Sequence, residues 1–109
     1  MFSYTVDRRG DAVCLAVAGD VDLEVHRTLR DAVAEALALH PATLTVDVGA
    51  LQLIDSTGIG ILLQARRAAA ATGAQLTLTN VRGFIRGMLH TLGILDYLTG
   101  PAVVVDPNA

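Results

Sequence analysis

Along this chain the apolar positions first recur every second residue, and then the period changes. Phe2, Tyr4 and Val6 fall on one side of a short segment, Val13, Leu15 and Val17 on one side of the next, and "DRRGD" between them supplies Gly10 for a tight reversal. The opening is therefore predicted to be a β-hairpin. From Asp20 to His40 the apolar positions shift to a helical stripe of Val25, Leu29, Val33, Ala36, Leu37 and His40. Asp20 or Asp22 is suited to cap that helix, Pro41 stops it, and Arg27 and Asp31 are spaced for an i,i+4 ion pair. Alternation returns with Leu44, Val46 and Val48. A second helix is predicted from Ser56, with Ile59, Leu62 and Leu63 inward and Gly73 as its stop. "AQLTLTN" reads as a fourth strand. "VRGFIRGMLHTLG" reads as a shorter helix with Ile85, Met88, Leu89 and Leu92 on its core side and Gly93 at its end, and "PAVVVD" (101–106) as a last brief strand.

The resulting order, ββαβαβαβ, has no internal repeat and no linker-like tract. Strand–helix–strand alternation after a hairpin requires parallel crossovers, which are almost always right-handed. The predicted class is a single α/β domain over residues 1–109, built on a mixed sheet opened by the hairpin. Ligand and partner sites in such sheets lie outside the carboxyl ends of the strands. Asp20, Asp22 and Asp55-Ser56 all fall there.

Composition narrows the function. With 109 residues, 52% hydrophobic and 17% charged, the chain suits one compact core. A net charge of -3 gives no electrostatic footprint for nucleic acid. The first residues carry no leader pattern, and no uncharged apolar run approaches the length of a membrane span, so a soluble cytoplasmic protein with no membrane association is expected. Cys14 is the only cysteine, which rules out an internal disulfide and a multi-cysteine metal site; in "VCLAVAG" it is expected to be a small buried thiol. Neither a metal nor a cofactor is implied.

The stretch with chemical content is "LIDSTGIGIL" (53–62). Asp55, Ser56 and Thr57 all suit a helix N-terminus, and capping alone accounts for one of them. Three in a row leave hydroxyls over, and Gly58 and Gly60 keep bulky side chains away. "DSTGIG" is not the G-x-S-x-G elbow of a serine hydrolase, and His26, His40 and His90 are read as surface or partly packed histidines rather than bases. A receiver domain that forms an aspartyl phosphate, or a phosphate-binding loop, needs a lysine. This chain has none: all eight of its basic residues are arginines. The chain is therefore not expected to be an enzyme. What remains is a hydroxyl that accepts a phosphate from another protein, at a helix start where free N–H groups and the dipole favour an anion.

Three blocks carry a family likeness: "GDVD" (19–22), "LTVDVGALQLIDSTGIGILL" (44–63) and "NVRGFIRGMLHTLGILDYL" (80–98). On these the chain resembles the STAS domain of bacterial anti-sigma factor antagonists over nearly its whole length, and the D-S-[ST]-G-x-G block is the specific one. The resemblance implies a STAS-like fold and a partner-switching role. The unphosphorylated form binds an anti-sigma factor that is also an ATP-dependent serine kinase and so releases a sigma factor. Phosphorylation of the serine after the aspartate, here Ser56, ends the interaction, and a PP2C-type phosphatase restores it. The other use of this fold is a constitutive interaction or ligand-binding module, in a stress-signalling scaffold or as an accessory subunit of a lipid transport system. Members of the family usually end in a further helix, which "PAVVVDPNA" does not supply, and this leaves homodimerisation open.

Around Ser56, the residues expected to border the modified surface are Asp20, Asp22, Asp55, Thr57, Gly58 and Gly60. Ile61, Gln64, Arg67 and Ala68 are expected to form an exposed partner-facing strip along the second helix, with Arg66-Arg67 a solvated pair.

Overall fold

The computed structural model describes residues 1–100. Its elements in chain order are β1 (Phe2–Arg9), β2 (Ala12–Val21), a 3-10 turn (Leu23–Val25), α1 (His26–Leu37), β3 (Thr43–Ile54), α2 (Ser56–Ala71), β4 (Gln75–Thr79), α3 (Gly83–Thr91) and α4 (Leu95–Thr99). The sheet runs β1-β2-β3-β4, with β1 antiparallel to β2 and the other pairings parallel. The hairpin turns on Gly10, whose φ of 61° at the first central position of a two-residue loop suits a type II′ turn.

Because the parallel part of the sheet grows in one direction, two right-handed crossovers place α1 and α2 on the same face. That face is the core: Val13, Leu15 and Val17 of β2, Leu44, Val46 and Val48 of β3, and Leu76 and Leu78 of β4 are all buried, and they cluster with Leu29, Val33, Leu62, Leu89 and Leu98 from the helices. The alternate positions, including Ala16, Ala18, Thr45, Asp47 and Thr77, stay half-buried. Cys14 lies among them rather than in the core. Desolvation and then the Asp47 charge push its thiol up from the ordinary value.

Helix ends follow local chemistry. Gly73 (φ 82°) and Gly93 (φ 75°) close α2 and α3, and in each case the next residue's N–H returns to the helix, Ala74 to the Ala69 carbonyl at 2.8 Å and Ile94 to that of Leu89 at 3.0 Å. Other expectations give way to tertiary structure. His40 does not extend the stripe of α1: the helix ends at Leu37, and His40 is exposed with φ 52° just before Pro41. Arg27 and Asp31 form no ion pair, since ordering two solvated side chains gains too little. Leu92 is 55% exposed rather than core. The short helix α4 follows α3 directly, with Leu95 and Leu98 buried. The strand expected at 101–106 lies outside the described residues. No helix among the described residues is long and apolar enough to cross a membrane.

Candidate functional site

Strand β3 is long, and its pairing with β2 shifts register between Ala16 and Ala18 and again between Gly19 and Asp20. The shifts carry it on to Ile54, opposite Val21, and the Asp55 N–H then donates to the Val21 carbonyl at 3.1 Å. The ends of β2 and β3 are thereby joined directly beneath the turn that starts α2. The nearby N-terminus packs over Gly19 (φ 93°), where a Cβ would lie 1.8 Å from the Met1 carbonyl oxygen.

Asp55 is the N-cap of α2. Its backbone is extended (φ -87°, ψ 174°) and its Oδ1 accepts from the Gly58 N–H at 2.7 Å. Ser56 and Thr57 are the first two helical residues, and both are exposed. They occupy positions whose N–H groups have no partner within a helix. Gly58 has a packing reason to be glycine: a Cβ there would come within 2.7 Å of Val21 Cγ1 and 2.8 Å of Ile54 Cγ1, both in the core. Gly60 has no such reason, because a Cβ there would meet nothing within 4 Å.

The residue missed in the sequence is His26. As the first residue of α1 it is 8% exposed, and its Nε2 lies 2.9 Å from Asp55 Oδ1 and 2.7 Å from Oδ2. The Gly58 N–H first, and the His26 bond after the opposing effect of desolvation, hold the Asp55 carboxyl below its ordinary value of 3.8. An ionised carboxylate can only accept, so the His26 Nε2 carries the proton in this contact. Nothing local signals the pair, whose members are 29 residues apart.

The other expected site residues divide. Asp22 caps the 3-10 turn, accepting from the Glu24 N–H at 3.1 Å, and α1 itself begins at Val25 without a side-chain cap. Asp20 lies 3.9 Å from the N-terminal amine. Ile61 is not on an exposed strip. It is 4% exposed, because α1 packs against α2 on that side. Gln64 and Ala68 are exposed as expected, and with Ile61, Arg30, Val33, Leu37 and Ala65 they line a groove of about 220 Å³ between α1 and α2. Arg67 is exposed, but Arg66 is buried. Its Nη1 donates to the Leu76 carbonyl at 2.6 Å, and its guanidinium lies 4.5 Å from the centre of the Tyr97 ring. Two large apolar side chains are exposed near the ends of β2 and β3: Leu23 in the 3-10 turn, 83% exposed, and Leu53, 45% exposed and paired with Asp20.

An antiparallel hairpin leading into parallel β-α-β units, with an N-cap aspartate and an exposed serine after β3, defines a small α/β domain with a mixed sheet. The family model for the Mlab-type STAS domain matches residues 4–100, and the chain belongs to the STAS-domain family. It is 31% identical over 80 residues to a STAS-domain containing protein of Pseudomonas aeruginosa, covering 73% of this chain and 78% of that one. It is also 36% identical over 56 residues to the anti-sigma-F factor antagonist RsfB of Mycobacterium tuberculosis, covering 51% of this chain and 45% of RsfB. Among solved structures, an anti-sigma factor antagonist from Mycobacterium paratuberculosis superposes with a TM-score of 0.75 at 24% identity, over 92% of this chain and 84% of that one. The phosphorylated form of the Bacillus cell-fate determinant SpoIIAA superposes with a TM-score of 0.69 at 19% identity, over 93% and 92%.

Proposed function

We propose that this chain is an anti-sigma factor antagonist of the partner-switching kind, in which Ser56 is the phosphate acceptor. The observation that carries the reading is the setting of Ser56: an exposed hydroxyl at the first position of α2, directly after an anchored N-cap, on a chain that also exposes Leu23 and Leu53 at the ends of the two strands leading into α1 and α2. Exposed apolar residues beside a polar turn suit a docking surface. In this reading the unmodified turn binds an anti-sigma factor that is also an ATP-dependent serine kinase. The kinase modifies Ser56, and a PP2C-type phosphatase resets it. The chain itself is a substrate and binding module in a non-enzymatic role, and the similarity to RsfB and to SpoIIAA, whose phosphorylated form has been solved, supports that role.

Exclusion, rather than refolding, is the switch the energetics favour. A phosphoserine adds about -1.5 to -2 charges. In the free protein the helix start offsets part of that, by roughly 1 to 2 kcal/mol. Pressed against a partner, the same group is desolvated without a matching cation at a cost of several kcal/mol, and 4 kcal/mol is nearly a thousandfold in affinity.

The test is incubation of the purified chain with ATP and a soluble extract of its source cells, followed by intact-mass analysis and site mapping. The expected result is one phosphate, on Ser56, absent from Ser56→Ala, with the extract's anti-sigma factor retained only by unphosphorylated chain and poorly by Leu23→Asp. Phosphate on Thr57, or equal retention of the phosphorylated chain, would overturn the reading. Retention indifferent to ATP with no phosphate would instead mark a constitutive interaction module.

A further inference from the structure

We propose that His26 is the positioning residue of the acceptor turn: it holds the Asp55 carboxylate in the capping orientation and so keeps it away from the Ser56 hydroxyl. The inference deepens the reading of Ser56 as a phosphate acceptor and rests on it. Its geometry is independent of that reading. Nε2 stands within 2.9 Å of both Asp55 oxygens, and Oδ1 also receives the Gly58 N–H at 2.7 Å, so both oxygens are engaged.

Aspartate beside serine at a helix start has competing options, because a short carboxylate readily accepts from neighbouring N–H and O–H groups. A free Asp55 would turn toward the Ser56 hydroxyl or the Thr57 N–H. Either contact would release the Gly58 N–H, and the second would occupy a donor that an incoming phosphoryl group would use. The His26 ring blocks that rotation. It is itself buried at the first position of α1. Among the described residues no arginine forms an ion pair with Asp55, so His26 is its one cationic-capable neighbour.

The experiment compares initial rates of phosphate incorporation in one extract with ATP, for wild type, His26→Leu and His26→Gln. Glutamine keeps an amide N–H donor at nearly the position of Nε2; leucine fills the space without a donor. Expected is a rate about tenfold lower for His26→Leu, the size of one lost hydrogen bond to a charged group, with His26→Gln within about threefold of wild type. Asp55→Asn combined with His26→Leu should be no slower than the slower single variant, since both changes disrupt one contact. Amide exchange at Gly58, read on the unmodified protein, should quicken in His26→Leu and not in His26→Gln. A merely structural role would lower stability, measured by urea unfolding, without changing the rate per folded molecule or distinguishing glutamine from leucine. Phosphate on Ser56 at an equal rate in all three proteins overturns the inference alone. Wild type that takes no phosphate on Ser56 overturns the functional reading and the positioning role of His26 with it. If His26→Leu does not fold, the inference is decided by Asp55→Asn: a wild-type rate in that variant would overturn it.

Discussion

The two helices that leave the carboxyl end of the sheet begin side by side and are started differently. Helix α2 opens on Asp55, an N-cap that satisfies the Gly58 N–H. Helix α1 opens on Val25, which offers no side-chain cap, after a 3-10 turn held by Asp22. Its first residue, His26, directs its side chain across to the cap of α2. One start is locally complete, and the other is arranged around its neighbour. The difference teaches where rigidity is concentrated: at the turn that presents Ser56, braced from below by Val21 and Ile54 and from the side by His26.

The asymmetry can be broken most strongly at Asp55. Asp55→Ala removes the cap and leaves the buried His26 donor without its acceptor, for a combined cost of about 2 to 3 kcal/mol in urea unfolding. Asp22→Ala at the other start should cost only about 1 kcal/mol or less. Equal costs would mean that the His26 contact adds nothing to the cap. A smaller effect, about 1 to 3 kcal/mol, is expected for Gly58→Ala, because its Cβ would force Val21 and Ile54 apart. Gly60→Ala is the control. With open space at its Cβ position and no positive φ, it should stabilise α2 by about 0.5 to 1 kcal/mol.

The pH dependence sharpens the same contrast with the smallest effect. The folded Asp55 carboxyl lies below its ordinary value of 3.8, so its contribution is complete above that value and is lost as pH falls through the lower folded value. Between neutral pH and pH 3, wild type should therefore lose more stability than Asp55→Asn. Parallel acid profiles for the two proteins would remove Asp55 from the account.

Much of this was readable from residue patterns. The change from period two to a helical period marked the hairpin and the helices, and Gly73 and Gly93 ended α2 and α3 as glycines do. The acid-hydroxyl turn was recognisable as a helix start, because capping is a matter of a few consecutive residues. The burial of particular side chains was not readable. Ile61 and Arg66 were expected at the surface, and both are in the interior. How much of a helix is covered depends on what packs beside it, and α1 covers more of α2 than one stripe would suggest. For Arg66 the decisive partners are the Leu76 carbonyl on the edge strand and the Tyr97 ring of α4, a helix the sequence pattern did not announce.

By itself, the sequence determined the hairpin, α1 to α3 with the strands between them, the family likeness and the serine after its capping aspartate, because each depends on contacts within a few residues or on the alternation of a single strand. Only the tertiary structure decided what braces that serine. The His26 contact with Asp55 spans 29 residues and exists because shifts in the register of β2 against β3 bring the two helix starts together. Such a meeting depends on the summed geometry of two strands and a crossover, and no local pattern records it.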